Sequence, residues 1–402
     1  MKVLLIDVNC KSSSTGQIVY NLYHFLNSNG DIASVCYGRG ELVNESNIYK
    51  FSLDWETKLH AFLTRLTGYT GCFSHFSTRR LLRYIDAFQP DIVHIHELHA
   101  YFLNDVQLLE YLGNRHIPVV HTIHSEFSYT GKCGHADDCV KWKTECRNCP
   151  KVSHYPKSLF FDQTSKMYYK KKHAFESIGR LIITTPSEWL TNRAHESFFK
   201  HNCIITIHNG VDTEIFRQIN SNRIRRMYGI SNRQRLLISI APNIMSHGKG
   251  GRYILECAKI MNRENYFFLL IGADKTEKTH QENVLILPRI TDKRQLAEYY
   301  NAADIFLLCS KKETFSLTCA ESLCCGTPVV GFRCGAPEMI FEEPYAYFVE
   351  QGDIIALIHQ IERTINCNVG RTEIEEYAHN HFSINKMLEK YKSVYDTISQ
   401  KQ

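Results

Sequence analysis

Short apolar runs alternate with amphipathic stretches along almost the whole chain. The runs KVLLIDV (2–8), IASVCY (32–37), DIVHIH (91–96), PVVHTI (118–123) and RLIITT (180–185) are rich in aliphatic and β-branched residues and predict strands. A second series follows: RLLISIA (235–241), YFFLLIG (266–272), NVLIL (283–287), DIFLLCS (304–310) and PVVGF (328–332). Between them, apolar residues spaced three and four apart predict helices over 16–28, 104–114, 250–263, 293–302 and 352–365. Strand–helix alternation of this kind predicts the α/β class, with parallel sheets covered by helices on both faces. Two series of strands predict two doubly wound domains in place of one large sheet. The expected break lies near 199–206, after the helical SEWLTNRAHESFF and before IITIHNGVD. This gives an N-terminal domain over 1–200 and a second over 201–380. The segment SINKMLEKYKSVYDTI (383–398) predicts a final helix within 381–402.

Composition narrows the class. The 402 residues are 44% hydrophobic and 22% charged, enough for two packed cores. A net charge of +5 is too weak to argue for nucleic acid, but it suits anionic substrates or an anionic surface. The opening MKVLLIDVNC has too short an apolar run for a signal peptide, and YFFLLIGA (266–273) falls far below a membrane span. A cytoplasmic location is therefore expected. Most of the fifteen cysteines stand singly in core-like stretches, where a reducing compartment leaves them as small hydrophobes.

Candidate chemistry collects at strand ends. In SKKETFSLTCAESLCCGTPVVG (310–331), KKETFS is the loop after a strand, and LTCAESLCC is a short helix stopped by Gly326 and Pro328. Glu313 falls in that loop and Glu321 one turn into the helix. Amides near Thr314, Phe315, Ser316 and Leu317 would form an anion site at a helix N-terminus. Carboxylates beside an anion site make sense when they address hydroxyls, as on a diphosphate flanked by sugars. The plain alternative is a pair of solvated surface acids. In SIAPNIMSHGKGGRYILECA (239–258), Lys249 lies between a strand end and a helix start, where an ammonium can neutralise a departing phosphate. The alternative is a lysine in a flexible glycine turn. HTIHSE (121–126) places His124 at a strand end, and DIVHIHELH adds His94, His96 and His99. Such histidines can bind metal, but alternation along a strand equally suits buried, hydrogen-bonded rings. NCKSSSTGQIVYNLYHFL (9–26) is a loop of small and hydroxyl residues before a helix near Gly16. It is neither a G-x-G-x-x-G nor a P-loop, which weakens a dinucleotide or ATP reading.

Two segments stand apart. CGHADDCVKWKTECRNCP (133–150) holds Cys133, Cys139, Cys146 and Cys149, the last two as C-x-x-C. Four thiolates can close a tetrahedral zinc site that pins an insertion with little core of its own. Disulfides and free thiols are the other readings, and His135 is a weaker alternative ligand. The basic cluster YYKKKH (168–173), with Lys170–Lys172 beside Tyr168 and Tyr169, can touch a membrane surface or be an ordinary solvated helix face.

Taken together these residues resemble the retaining glycosyltransferases of family 4 (GT4), over nearly the whole chain. SKKETFSLTCAESLCCGTPVV is similar to the family's E-x7-E signature, and HNGVDTEIF (208–216) to the segment that opens its donor domain. PDIVHIH, VVHTIH, TTPSEWL and FSINKMLEKY also fit. The cysteine insertion (131–150) resembles that of enzymes assembling bacterial exopolysaccharide, colanic-acid-like or capsular polymers. The resemblance implies a GT-B fold: two Rossmann-like domains facing a cleft, with the final helix crossing back to the first. It implies a UDP- or GDP-sugar donor, no catalytic metal, and a growing, lipid-linked oligosaccharide acceptor at the cytoplasmic membrane face. Glu313 would contact the transferred sugar, Glu321 the ribose and Lys249 the diphosphate; His124 would lie beside the transferred sugar, and Gly16 in the loop facing the diphosphate. Family members usually carry an arginine five or six residues before the lysine. Here those positions are Ile244 and Asn243, so Asn243 offers an amide and no charge, and His247 or Arg252 would have to compensate. The Gly16 loop also lacks a second glycine. Other readings are a sugar-nucleotide epimerase on the same fold, or a silent GT-B protein that binds sugars or scaffolds a complex.

Overall fold

A computed structural model describes residues 1–220, 222–275, 277–278 and 282–400. The chain forms two compact units: Met1–His208 with the stretch from Leu388 onward, and Asn209–Met387.

The first unit runs β1 (Lys2–Asp7), α1 (Ser14–Ser28), β2 (Ile32–Tyr37), β3 (Ile48–Lys50), α2 (Asp54–Thr67), α3 (His75–Phe88), β4 (Ile92–Ile95), α4 (Asp105–Asn114), β5 (Val119–Thr122), α5 (Thr164–Glu176), β6 (Leu181–Thr185), α6 (Glu188–His195) and β7 (Cys203–Thr206). Its sheet has the order β3-β2-β1-β4-β5-β6-β7, all parallel. The second unit runs α7 (Arg223–Met227), β8 (Arg235–Ile240), α8 (Gly251–Ile260), β9 (Tyr266–Ala273), β10 (Glu277–Lys278), β11 (Val284–Pro288), α9 (Lys293–Ala302), β12 (Ile305–Leu308), α10 (Leu317–Cys324), β13 (Val329–Phe332), α11 (Pro337–Ile340), β14 (Ala346–Val349), α12 (Ile354–Ile365) and α13 (Arg371–Phe382), and leads into α14 (Ile384–Gln400). Its order is β10-β11-β9-β8-β12-β13-β14, parallel except for β10 at the edge.

Each sheet reverses its strand order at one place, between β1 and β4 and between β8 and β12. Ligands of open α/β sheets bind beside the carboxyl ends of strands at such points. The central strands are buried on both faces, as their near-continuous apolar runs require: Leu4, Ile6, Val93 and Ile95 in one core, and Leu237, Phe268, Ile305 and Leu307 in the other. All ten predicted strand runs appear. Three further strands, β3, β7 and β14, escape the sequence pattern because they are mostly half-buried and carry no continuous apolar run.

From Leu388 onward, α14 belongs to the first unit, where Leu388, Tyr391, Val394, Tyr395 and Ile398 are buried at helical spacing. Tyr395 Oη lies 2.6 Å from His94 Nδ1, and Tyr391 Oη 3.1 Å from Thr122 Oγ1. Lys392 pairs with Asp31 at 3.0 Å and Asp396 at 2.9 Å. The basic run of α5 is not one outward face, which corrects the continuous surface cluster expected of YYKKKH. Tyr168 and Lys171 are buried. Lys171 Nζ donates to the Phe127 carbonyl and lies 3.9 Å over its ring; burial pushes its pKa down while Asp105 opposes the shift. Among the described residues no helix is long and apolar enough to cross a membrane.

Candidate functional site

In the second unit the loops after β8 and β12 meet at the switch point. Gly250 stands at φ +74° as the N-cap of α8, and a Cβ there would lie 1.9 Å from the Cys309 carbonyl oxygen, so only glycine fits. Lys311 N–H donates to the Gly248 carbonyl at 2.8 Å, tying the two loops together. The loop after β13 joins them: Glu313 N–H donates to the Cys334 carbonyl at 2.9 Å, and Ala336 N–H to the Glu313 carbonyl at 3.1 Å. These bonds fix the backbones that carry Lys249 and Glu313. Their side chains form an ion pair, Nζ to Oε1 at 2.7 Å, with 31% and 19% of each exposed.

Ser316, at φ +79°, precedes α10 without capping it through its side chain. It is hydrogen-bonded to Thr318 Oγ1 and Cys319 Sγ instead, both at 3.2 Å. The first turn, beginning at Leu317, is left for an acceptor from outside the helix. The Phe315 side chain is buried against Phe341 and Phe382 and anchors the turn. Thr314 is half-buried beside it. Glu321, in the second turn of α10, accepts from Tyr300 Oη at 2.9 Å. Burial raises its pKa to about 7, while the Tyr300 hydrogen bond and Lys293 oppose the rise. Asn243 is exposed at φ +51°, a conformation asparagine tolerates. Arg252, a candidate to replace the missing arginine, is turned onto Tyr253: its Cζ lies 4.7 Å from the ring and its Nη2 donates to the hydroxyl at 2.8 Å.

In the first unit the loops after β1, β4 and β5 converge. Asp7 ends β1, buried; its Oδ2 accepts from Thr15 Oγ1 at 3.0 Å and its Oδ1 from Glu97 N–H at 3.3 Å. Glu97 Oε2 lies 3.1 Å from His99 Nε2 and 3.4 Å from Ser125 Oγ. Burial raises Asp7 to about 7, with Glu97 adding to the rise, and burial raises Glu97 to about 8. His124 Nε2 is 3.1 Å from His96 Nδ1, with the rings stacked. Burial, His121 and His99 hold His124 down at about 3, so its ring is neutral at pH 7. His94 is spent on Tyr395 and on Thr122 Oγ1 at 2.7 Å. Gly16 packs on the Asn9 backbone, where a Cβ would lie 3.1 Å from Asn9 C and O, and its N–H is taken by Ser13 Oγ at 3.2 Å. The glycine therefore closes the loop on itself and its amide is not free. Asp7 and Glu97 were missed from sequence. Their signal was a charged residue ending each of two buried runs, LLID and HIHE.

Residues 16–215 match the family model Glycosyltransferase Family 4, and residues 236–367 match Glycosyl transferases group 1. Among similar proteins is WcaC of Escherichia coli (strain K12), named for colanic acid biosynthesis and glycosyl transfer. It is 24% identical over 77% of this chain and 77% of its own. Among solved structures, a sucrose-phosphate synthase of Thermosynechococcus elongatus superposes with a TM-score of 0.70 at 15% identity, covering 99% of this chain and 98% of that one. Anabaena Alr3699/HepE in complex with UDP-glucose superposes at 0.65 and 13% identity, covering 99% and 100%. At these identities the structural likeness concerns the fold.

Proposed function

Because the chain belongs to the family 4 glycosyltransferases and has their GT-B fold, we propose that it moves a sugar, with retained configuration and without a metal, from a nucleotide-diphosphate sugar to a growing lipid-linked surface polysaccharide. The observation that carries this reading is the Lys249–Glu313 pair beside the first turn of α10, at the switch point of the second sheet. Backbone amides and an ammonium there suit a diphosphate, and two carboxylates suit hydroxyls on either side of it. Lys249 would sit on the diphosphate, Glu313 on the transferred sugar and Glu321 on the ribose. Asn243 would give the diphosphate an amide, and the backbone from Thr314 to Leu317 would supply its N–H donors. The bond from the anomeric carbon to the β-phosphate oxygen breaks and the nucleoside diphosphate leaves with the electron pair. The acceptor hydroxyl attacks from the same face, and its proton passes to the leaving phosphate. Lys249 and the helix amides stabilise that leaving charge. Neutral His124 would offer a hydrogen bond to the sugar. UDP is the first base to test, since Alr3699/HepE was solved with UDP-glucose; GDP is the second.

The membrane contact expected of a lipid-linked acceptor is better served by α2 than by α5. Trp55, Leu59 and Phe62 form one exposed stripe on α2, with Lys58 and Arg65 exposed on the same helix. Phe160 and Phe161 are exposed in a loop tied to α2 by the Leu159 N–H bond to the Arg65 carbonyl at 2.8 Å. Sedimentation with vesicles containing anionic lipid tests this: Trp55→Ser with Phe62→Ser should abolish binding, and unaltered binding would refute it.

A panel of UDP- and GDP-sugars, with NMR assignment of the product anomer, tests the reaction. Transfer lost in Lys249→Ala and Glu313→Ala supports it, and an inverted anomer refutes retention. The missing arginine favours one second reading, a silent sugar-binding protein, which predicts tight nucleotide-sugar binding and no turnover with any acceptor.

A further inference from the structure

The cysteine-bearing stretch 131–150 of the loop between β5 and α5 has no part in the glycosyl-transfer reading. Around its cysteines its regular structure is confined to short 3-10 turns at Glu126–Tyr129 and Lys141–Lys143. It is nevertheless ordered around Trp142, which is buried against Tyr129 at 5.0 Å between ring centroids. Arg193 lies 4.7 Å over the indole and donates to Glu126 at 2.6 Å. Cys133, Cys139, Cys146 and Cys149 are all free thiols, and all four line one cavity of about 20 Å³. A space of that size holds about one water or one ion.

Two further features point to an ion. Gly131 N–H donates to Cys146 Sγ at 3.2 Å, the kind of contact that supports a thiolate. A cation is also at hand, since Lys132 lines the same cavity.

The geometry points to a structural zinc ion held by Cys133, Cys139, Cys146 and Cys149. Among the described residues no three Cys, His, Asp or Glu side chains have closed into a metal-binding set. Binding would draw the four sulfurs inward to about 2.3 Å from the ion in a tetrahedron. Each thiol loses its proton to solvent as its sulfur binds. Lys132, in the lining of the same cavity, would offset part of the charge of the resulting dianionic set. The ion would pin the loop, and with it Trp142, to the first unit, and would take no part in sugar transfer.

The test is elemental analysis of the full chain, purified with reductant and without chelator. One zinc per chain, released in step with blocking of thiols by an organomercurial, is the expected result. Cys146→Ser and Cys149→Ser should each lose the ion, whereas Cys203→Ser, an exposed thiol in β7, should retain it. The wild-type release experiment stands even if the loop variants do not fold. A chain without zinc after growth or refolding in zinc overturns the assignment. So does a mass lower by two hydrogens for each of two bridges, or zinc retained in Cys146→Ser.

Discussion

The Lys249–Glu313 pair makes a counterintuitive prediction: removing the carboxylate should tighten nucleotide binding while abolishing transfer. At 2.7 Å the bare attraction is about 1.5 kcal/mol in water and about 6 kcal/mol at an effective dielectric near 20. Both side chains are partly exposed, so the net worth of the pair after desolvation and ordering is about 1 kcal/mol or less. A donor diphosphate must compete with Glu313 for the ammonium and also meets the carboxylate's own charge. Glu313→Gln removes both effects, about 1–1.5 kcal/mol together, so free UDP or GDP should bind about 5–10-fold more tightly. Lys249→Met removes a charge-assisted hydrogen bond worth about 1.5–3 kcal/mol and should weaken the same ligand about 10–100-fold. In the Lys249→Met background, Glu313→Gln should then gain less than it does alone, which a double-mutant cycle measures. The assay is calorimetric titration at about 0.15 M ionic strength, where distant charges are screened. Turnover of Glu313→Gln should fall about 100-fold or more, the loss of about 3 kcal/mol of sugar contacts made in the transition state. Weaker nucleotide binding in Glu313→Gln, or unchanged binding in Lys249→Met, would refute the placement of the diphosphate.

Other outcomes follow from the same geometry. Gly250→Ala combines a left-handed φ of +74° with a Cβ only 1.9 Å from the Cys309 carbonyl oxygen, so it should cost about 2–4 kcal/mol, lower the melting temperature and weaken nucleotide binding; an unchanged melting curve would sink the argument. On the proposed reading Glu321 would accept a ribose hydroxyl, best as a carboxylate, so nucleotide affinity should be full above its pKa of about 7 and fall as pH drops through it, a slope absent in Glu321→Gln. Its effect on stability runs the other way: the fold favours the neutral form, so stability is lost as pH rises from 4.5 towards about 7, and less so in Glu321→Gln. Tyr395→Phe strips His94 of a buried partner at 2.6 Å and should cost about 1–3 kcal/mol in denaturant unfolding; no change would mean that α14 contributes little to the first unit.

How much was legible follows from the physics of each feature. Central parallel strands advertise themselves, since burial on both faces demands unbroken apolar runs such as VLLI and FLLI. Strand ends carrying Lys249 and Glu313 were therefore placeable. The pairing of these two residues, 64 positions apart, was not, because it depends on which strand of the sheet lies beside which. Buried polar partnerships were hidden for the same reason. Nothing local in EYYNAADIF announces that Tyr300 will hold Glu321, and HIHELH does not reveal that Glu97 faces Asp7. Lys171 misled because a run of three lysines on a helix reads as surface, yet a helix turning 100° per residue sends one of the three inward.

The charge count at the second sheet's switch point bears on how a diphosphate is stabilised without the usual arginine. Asn243 brings no charge and Arg252 is committed to Tyr253, which leaves His247, exposed on the same loop, to assist Lys249, half neutralised by Glu313, and the amide end of α10. Such a site has little electrostatic strength to spare, so it must already be in place before the donor arrives. The backbone is arranged for that. Lys311 is bonded to Gly248, Gly250 is wedged against Cys309, and Glu313 is bridged to the Cys334–Ala336 segment. None of these contacts uses a side chain that the donor would need. The loops can therefore stay fixed while Lys249 and Glu313 exchange each other for the ligand. Rigidity of the backbone compensates for a sparse set of charges.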